Sequence, residues 1–157
     1  MEPVYSKDLP VATEQPPAAE PSVVEMSPVL DQPAVQPCER ALWPAQLTRD
    51  DLEAVFDCAE VPVEWRDGLA SVARCESKWS PGALGDSGAA KGLWQIHWYP
   101  EGSWQGWSLY LIAAGVLEEA DYDAWANPVV NARAATGIVR YSVSRGQQAH
   151  QQWTCRS

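Results

Sequence analysis

From residue 48 onward, apolar positions recur with a helical period. Leu52, Val55, Phe56 and Ala59 fall at i, i+3, i+4 and i+7, and Thr48 with Asp51 three residues later forms a variant capping box ahead of them. Pro62 opens a second segment whose stripe is Trp65, Leu69, Val72, Ala73 and Glu76, and which stops before Pro81 and the glycine-containing stretch 82–92. Residues 108–117, SLYLIAAGVL, are apolar nearly all round, which predicts a central, buried helix. Asn127 as N-cap with Pro128 behind it starts a last long helix, carrying Val130, Ala134, Ile138 and Val139 and ending near Gly146. No strand-like alternation lasts more than a few residues. The predicted class is mostly α, with at most a small β-hairpin around 83–91.

The first 37 residues follow neither period. They hold eight of the thirteen Pro, six acidic residues and one Lys, with no Gly, Trp or Cys. Pro removes backbone donors and fixes φ, so the stretch reads as a disordered, acidic tether leaning to polyproline II. Fully extended it reaches about 115 Å, at about 3.1 Å per residue. The expected folded domain is 38–157.

Composition narrows the function. Apolar residues make up 46% of the 157, enough for a core, while the net charge of −10 argues against unaided binding to nucleic acid or anionic membrane, both of which need Lys and Arg. No apolar run approaches the ~20 residues that span a bilayer, and the start MEPVYSKDLP lacks the basic and apolar regions of a secretory signal. Nine Trp stand against one Phe. Some of these fill a core, and others suit flat ligands such as sugar rings.

Cys38, Cys58, Cys75 and Cys155 lack the close CxxC pairs of a zinc site, and neither His97 nor His150 sits at ligand spacing, so no metal is expected. An even count favours two disulfides, with buried free thiols as the alternative if the protein stays in a cytosol. Four Cys allow three pairings. The pairing expected is Cys75–Cys155, clipping the C-terminus to the second helix, with Cys38–Cys58.

Glu76 is the odd residue, because helical spacing puts it at the end of a buried stripe. Burial disfavours the charged form of a carboxyl, which suits an acid. The bland reading is an edge residue paired with Arg74 or Lys78. Ten residues on, Asp86 lies in a Gly-Asp-Ser-Gly turn, and two carboxyls on a helix end and a turn can cleave glycosidic bonds. Trp79, Trp94, Trp98, Trp104 and Trp107 are close enough in sequence to stack on sugars.

The stretch 76–96, ESKWSPGALGDSGAAKGLWQI, resembles the lysozyme-like superfamily, in particular soluble-lytic-transglycosylase-like domains and goose-type lysozymes. The resemblance rests on Glu76-Ser77, Trp79 and Pro81, the turn Gly85-Asp86-x-Gly88, and Gly92-Leu-x-Gln95-Ile96, with a looser match in NPVVNARAA (127–135). It implies a mostly α, α+β lysozyme-like domain that cleaves the β-1,4 bond between N-acetylmuramic acid and N-acetylglucosamine in peptidoglycan, without a cofactor. Glu76 is then the general acid. Asp86 positions the attacking water in a hydrolase, and Ser77, Gln95, Trp94 and Trp98 contact substrate. Asp86 and Gln95 also have plain readings as turn-stabilising side chains.

Two departures stand out. The Ala-Tyr-Asn segment of many transglycosylases is missing, and where the goose-type pattern carries a second acid just after Gln-hydrophobic, this chain has His97, which reads more readily as a packed or surface His. Trp153-Thr154-Cys155 looks like the Trp-x-Cys ends of some small secreted or phage members. The partner implied is the glycan strand of peptidoglycan, met at the cell wall by an extracellular, periplasmic or virion-associated chain. The tether could join it to a larger assembly. A glycan-binding module that does not cut, or a structural component of a virion or wall, is the competing reading.

Overall fold

The computed structural model describes residues 38, 42–98 and 106–155; the predicted tether 1–37 and Trp104 lie outside the described residues. Helix α1 (Arg49–Cys58) begins where predicted. Thr48 accepts from the Asp51 amide at 3.1 Å, and Asp51 accepts from the Thr48 amide at 3.0 Å. This reciprocal box satisfies two donors that a helix start leaves open. The face of α1 that turns inward carries Leu52, Val55, Phe56 and Cys58.

Helix α2 (Val63–Ser77) follows Pro62 and buries Leu69, Ala70, Val72, Ala73 and Ser77. It ends in two successive left-handed residues, Lys78 and Trp79. The indole N–H of Trp79 then donates back to the Ala70 carbonyl at 3.0 Å, which fixes the exit direction of the chain.

The stretch 82–98 forms three strands rather than one hairpin. Strands β1 (Leu84–Gly85), β2 (Ala90–Lys91) and β3 (Ile96–His97) make an antiparallel sheet in the order β1-β2-β3, with Gly85 opposite Ala90 and Ala90 opposite His97. The turn 92–95 reverses the chain because Gly92 and Gln95 both take positive φ, and this brings 96–97 back along β2. Two-residue strands are too short to show alternation, which is why the third was not legible.

The predicted buried helix over 108–117 is corrected. Helix α3 spans only Trp107–Ala113 and buries only Ser108 and Leu111, leaving Leu109 and Tyr110 exposed. The chain then turns at Gly115, and the amides of Val116 and Leu117 both reach the Leu111 carbonyl. The central helix is instead α4 (Pro128–Ser144), opened by Asn127, whose side chain accepts from the Val129 amide at 2.9 Å. Twelve of its residues are buried, and it packs against α1, α3 and β3. Small side chains at Ala132, Ala134, Ala135 and Gly137 let neighbours approach from several sides, so α4 can be central without a strong apolar stripe.

Two disulfides close the domain, Cys38–Cys58 and Cys75–Cys155. Their sequence separations of 20 and 80 correspond to about 3 and about 4 kcal/mol of lost chain entropy in the unfolded state.

Candidate active site

A cavity of about 320 Å³ opens where the end of α2, the sheet, α4 and the C-terminal segment meet. Its polar lining comes from Glu76, Asp86, Gln95, His97, Gln152 and Thr154, and its apolar lining from Ala90, Ile96, Trp107, Ile138 and Trp153. That size is at the lower end for ligand sites, and a mixed lining with several polar groups is what orients a polar ligand.

Each polar group is placed by a local device. Glu76 is the penultimate residue of α2 and half-buried, so the helix holds its backbone while its side chain meets the cavity. Asp86 directly follows β1 and takes φ +47, with Ser87 at +58 behind it. L-residues at such angles cost about 1–3 kcal/mol each and persist where surrounding structure imposes them. The three rungs Gly85, Ala90 and His97 lie in one row across the sheet, so the residue after Gly85 comes within reach of the His97 ring. His97 Nε2 and Asp86 Oδ2 are 2.8 Å apart. A carboxylate only accepts, so the Nε2–H is the donor.

Gln95 ties the loop together from within. Its Nε2 donates to the Ala83 carbonyl at 3.2 Å and the Gly92 carbonyl at 2.9 Å, while Oε1 occupies space that a Cβ at position 85 would fill. It therefore serves the turn and faces the cavity at once.

Three expected contact residues lie elsewhere. Ser77 is buried and its Oγ donates to the Ala73 carbonyl at 2.9 Å, so its hydroxyl serves the helix rather than a ligand. Trp94 has no exposed surface; its indole N–H donates to the Leu69 carbonyl at 2.8 Å and its ring packs against Phe56. Trp98 is 2% exposed. Rings this enclosed have no face to offer a sugar, so the stacking role assigned to Trp94 and Trp98 is withdrawn. The Trp79 indole N–H is engaged by the Ala70 carbonyl of α2, and its ring packs partly buried against the core. Among the tryptophans between 79 and 107 that are described, Trp107 alone lines the cavity.

The sequence pattern also passed over residues that matter to the site. His97 reads as a packed or surface residue in one dimension, and only strand pairing brings it to Asp86. Gln152, Trp153 and Thr154 reach the cavity because Cys155 is bonded to Cys75, the neighbour of Glu76. Asn131 on α4 supports the loop from behind: Oδ1 accepts from the Trp94 amide at 3.1 Å and Nδ2 donates to the Lys91 carbonyl at 3.3 Å. Its side chain fills the space beside Gly92, where any Cβ would collide.

Among the described residues there is no group of three or more His, Cys, Asp or Glu that could hold a metal ion, and no helix long and apolar enough to cross a membrane. No family model, curated protein or solved structure matches the chain. Function is therefore read from these residues.

Proposed function

We propose that the chain is a peptidoglycan-cleaving glycosidase with a lysozyme-like domain over 38–157, acting on the β-1,4 bond between N-acetylmuramic acid and N-acetylglucosamine. The observation that carries the reading is that Glu76, Asp86 and Gln95, separate in sequence, open onto one cavity. The order of elements supports it too: a helix ending at the acid, then a small antiparallel sheet bearing the second carboxyl, then further helices.

In this reading a sugar ring entering the cavity displaces water from Glu76, whose carboxyl proton passes to the leaving glycosidic oxygen as the bond breaks. Positive charge develops at the anomeric carbon. Asp86, on the turn after β1 and lining the same cavity, orients a water toward that carbon, which favours hydrolysis over attack by the muramyl 6-hydroxyl. Trp107 supplies an aromatic wall, its ring held edge-on by Tyr110 and Tyr141 at centroid distances of 5.8 and 5.4 Å. The polar groups of the cleft provide recognition, since a chain of net charge −10 gains little from non-specific attraction to an anionic wall. The place of action is the cell wall, and the segment 1–37 is long enough to tether the domain to a larger assembly.

Mass spectrometry of muropeptides released from purified peptidoglycan, with Glu76→Gln run alongside, tests the reading. Free reducing ends from the wild type and none from the variant are expected. Products ending in 1,6-anhydro-muramic acid would make the enzyme a lytic transglycosylase and return Asp86 to a turn role. Glycan retained by both forms with no fragments released would make the chain a binding module.

A further inference from the structure

We infer that His97 is a positioning residue for cleavage at this cavity, holding Asp86 so that one carboxylate oxygen is presented to the attacking water. The inference rests on the glycosidase reading and gives a role to a residue that reads in sequence more readily as a packed or surface His. Asp86 and His97 are joined at 2.8 Å through Oδ2 and Nε2, and both line the cavity that Glu76 lines. Their side chains are 67% and 38% exposed. A pair this open to solvent adds little to stability, and the sheet is already joined by its own backbone bonds. Its consequence is orientation. Asp86 stands on a left-handed turn at the sheet edge, where an unsupported carboxylate would sample several rotamers. The imidazole N–H selects one of them.

The chemistry balances with these groups and one water. Glu76 transfers its carboxyl proton to the glycosidic oxygen, and the C1–O bonding pair leaves with that oxygen. The water oxygen bonds to C1 while its proton passes to Asp86 through Oδ1, the oxygen not engaged by His97. That proton then moves to solvent, and Glu76 is reprotonated from solvent. One water is consumed, and one reducing end and one free hydroxyl are formed. His97 touches no reacting atom in this scheme; it acts through Asp86.

Steady-state kinetics on purified peptidoglycan test this with His97→Ala, His97→Gln and His97→Asp beside the wild type and Glu76→Gln. Removing the donor in His97→Ala is expected to lower kcat about 10- to 100-fold, part of what a placed general base contributes, while KM and thermal midpoint stay near wild type. His97→Gln keeps a side-chain N–H and is expected to recover most of the loss. His97→Asp sets a like charge beside Asp86 and is expected to be as poor as alanine. An unchanged kcat in His97→Ala, or a glutamine variant no better than alanine, overturns the inference. So does a fully active aspartate variant, which would make position 97 a second holder of water. Wild type releasing no more than Glu76→Gln overturns the glycosidase reading together with this inference. Wild type above Glu76→Gln but equal to His97→Ala overturns the His97 role alone.

Discussion

Asn131 Oδ1 accepts a hydrogen bond from the amide of Trp94 at 3.1 Å, linking the buried centre of α4 to the loop that carries Gln95. The carbonyl of the same Trp94 receives the indole N–H of Trp153 at 2.7 Å. One residue of the cavity loop is thus held at both its N–H and its C=O by residues far away in sequence.

Replacing Asn131 with Ala strips a partner from the Trp94 amide and from the Lys91 carbonyl in a place water does not reach, since Asn131 is 1% exposed. Leaving such groups unsatisfied costs about 1–3 kcal/mol. Urea denaturation of Asn131→Ala should show a loss of that size, with activity falling as well because Gln95 loses its support. Gly92→Ala should resemble it, since φ is +80 there and Asn131 occupies the space a methyl needs. A change below about 0.5 kcal/mol in both variants would mean that the loop is held by its own bonds.

The two disulfides should separate in their effects. Cys75 and Cys155 flank Glu76 and Thr154, both of which line the cavity. Cys38–Cys58 ties down the end of α1 and neither of its residues lines the cavity. The double serine variant at 75 and 155 should lose about 4 kcal/mol and also bind glycan more weakly at a temperature where it is still folded. The double serine variant at 38 and 58 should lose about 3 kcal/mol and bind as wild type. Denaturant melts paired with glycan binding on the folded fraction measure both, and equal binding in the two variants would detach the C-terminal wall from ligand binding.

Helix starts were legible because their signals are local. Thr48-x-x-Asp51 and Asn127-Pro128 each carry their cap within four residues, and both helices begin there. Residues 108–117 misled for the opposite reason: hydrophobicity alone does not say whether a segment passes through the core or turns back onto it at Gly115. The site was half legible. Glu76, Asp86 and Gln95 stand in a dense motif, whereas His97 gains meaning only through the rungs Gly85–Ala90–His97, and Thr154 only through a disulfide to residue 75. Trp94 and Trp98 were misassigned because a tryptophan beside a glycine-containing loop looks the same in sequence whether its ring faces the cavity or the core.

Stability should depend on pH through His150. Its ring packs against Gly68 of α2, leaving no room for a Cβ at that position, and burial holds its pKa below the ordinary value of 6.5, partly offset by a backbone hydrogen bond with Trp65. The unfolded chain then binds more protons than the folded one as pH falls through about 6.5, so stability rises with pH in that window and is lost on acidification. Thermal melts between about pH 5 and 7.5 should show a falling midpoint toward acid in the wild type and a shallower fall in His150→Gln. Parallel curves for the two would assign the acid sensitivity to carboxylates elsewhere.

Trp107 and Trp94 should respond oppositely to substitution, because one faces the cavity and the other is enclosed. Trp107 is half-buried, lines the cavity and sits in an edge-on cluster with Tyr110 and Tyr141. Trp107→Ala should weaken glycan binding about tenfold, the scale of one aromatic contact, with a smaller loss in stability than a core truncation gives. Trp94→Phe keeps an aromatic ring but removes the buried indole N–H bond to the Leu69 carbonyl and leaves a gap beside Phe56. That should cost about 1–3 kcal/mol in a urea melt, while binding by the folded fraction is retained. Titration of each variant with soluble glycan fragments, read alongside its urea melt, separates the two roles. If Trp94→Phe lost binding with full stability, its ring would have to reach the ligand after all, and the enclosed packing against α1 and α2 would not describe the protein in solution.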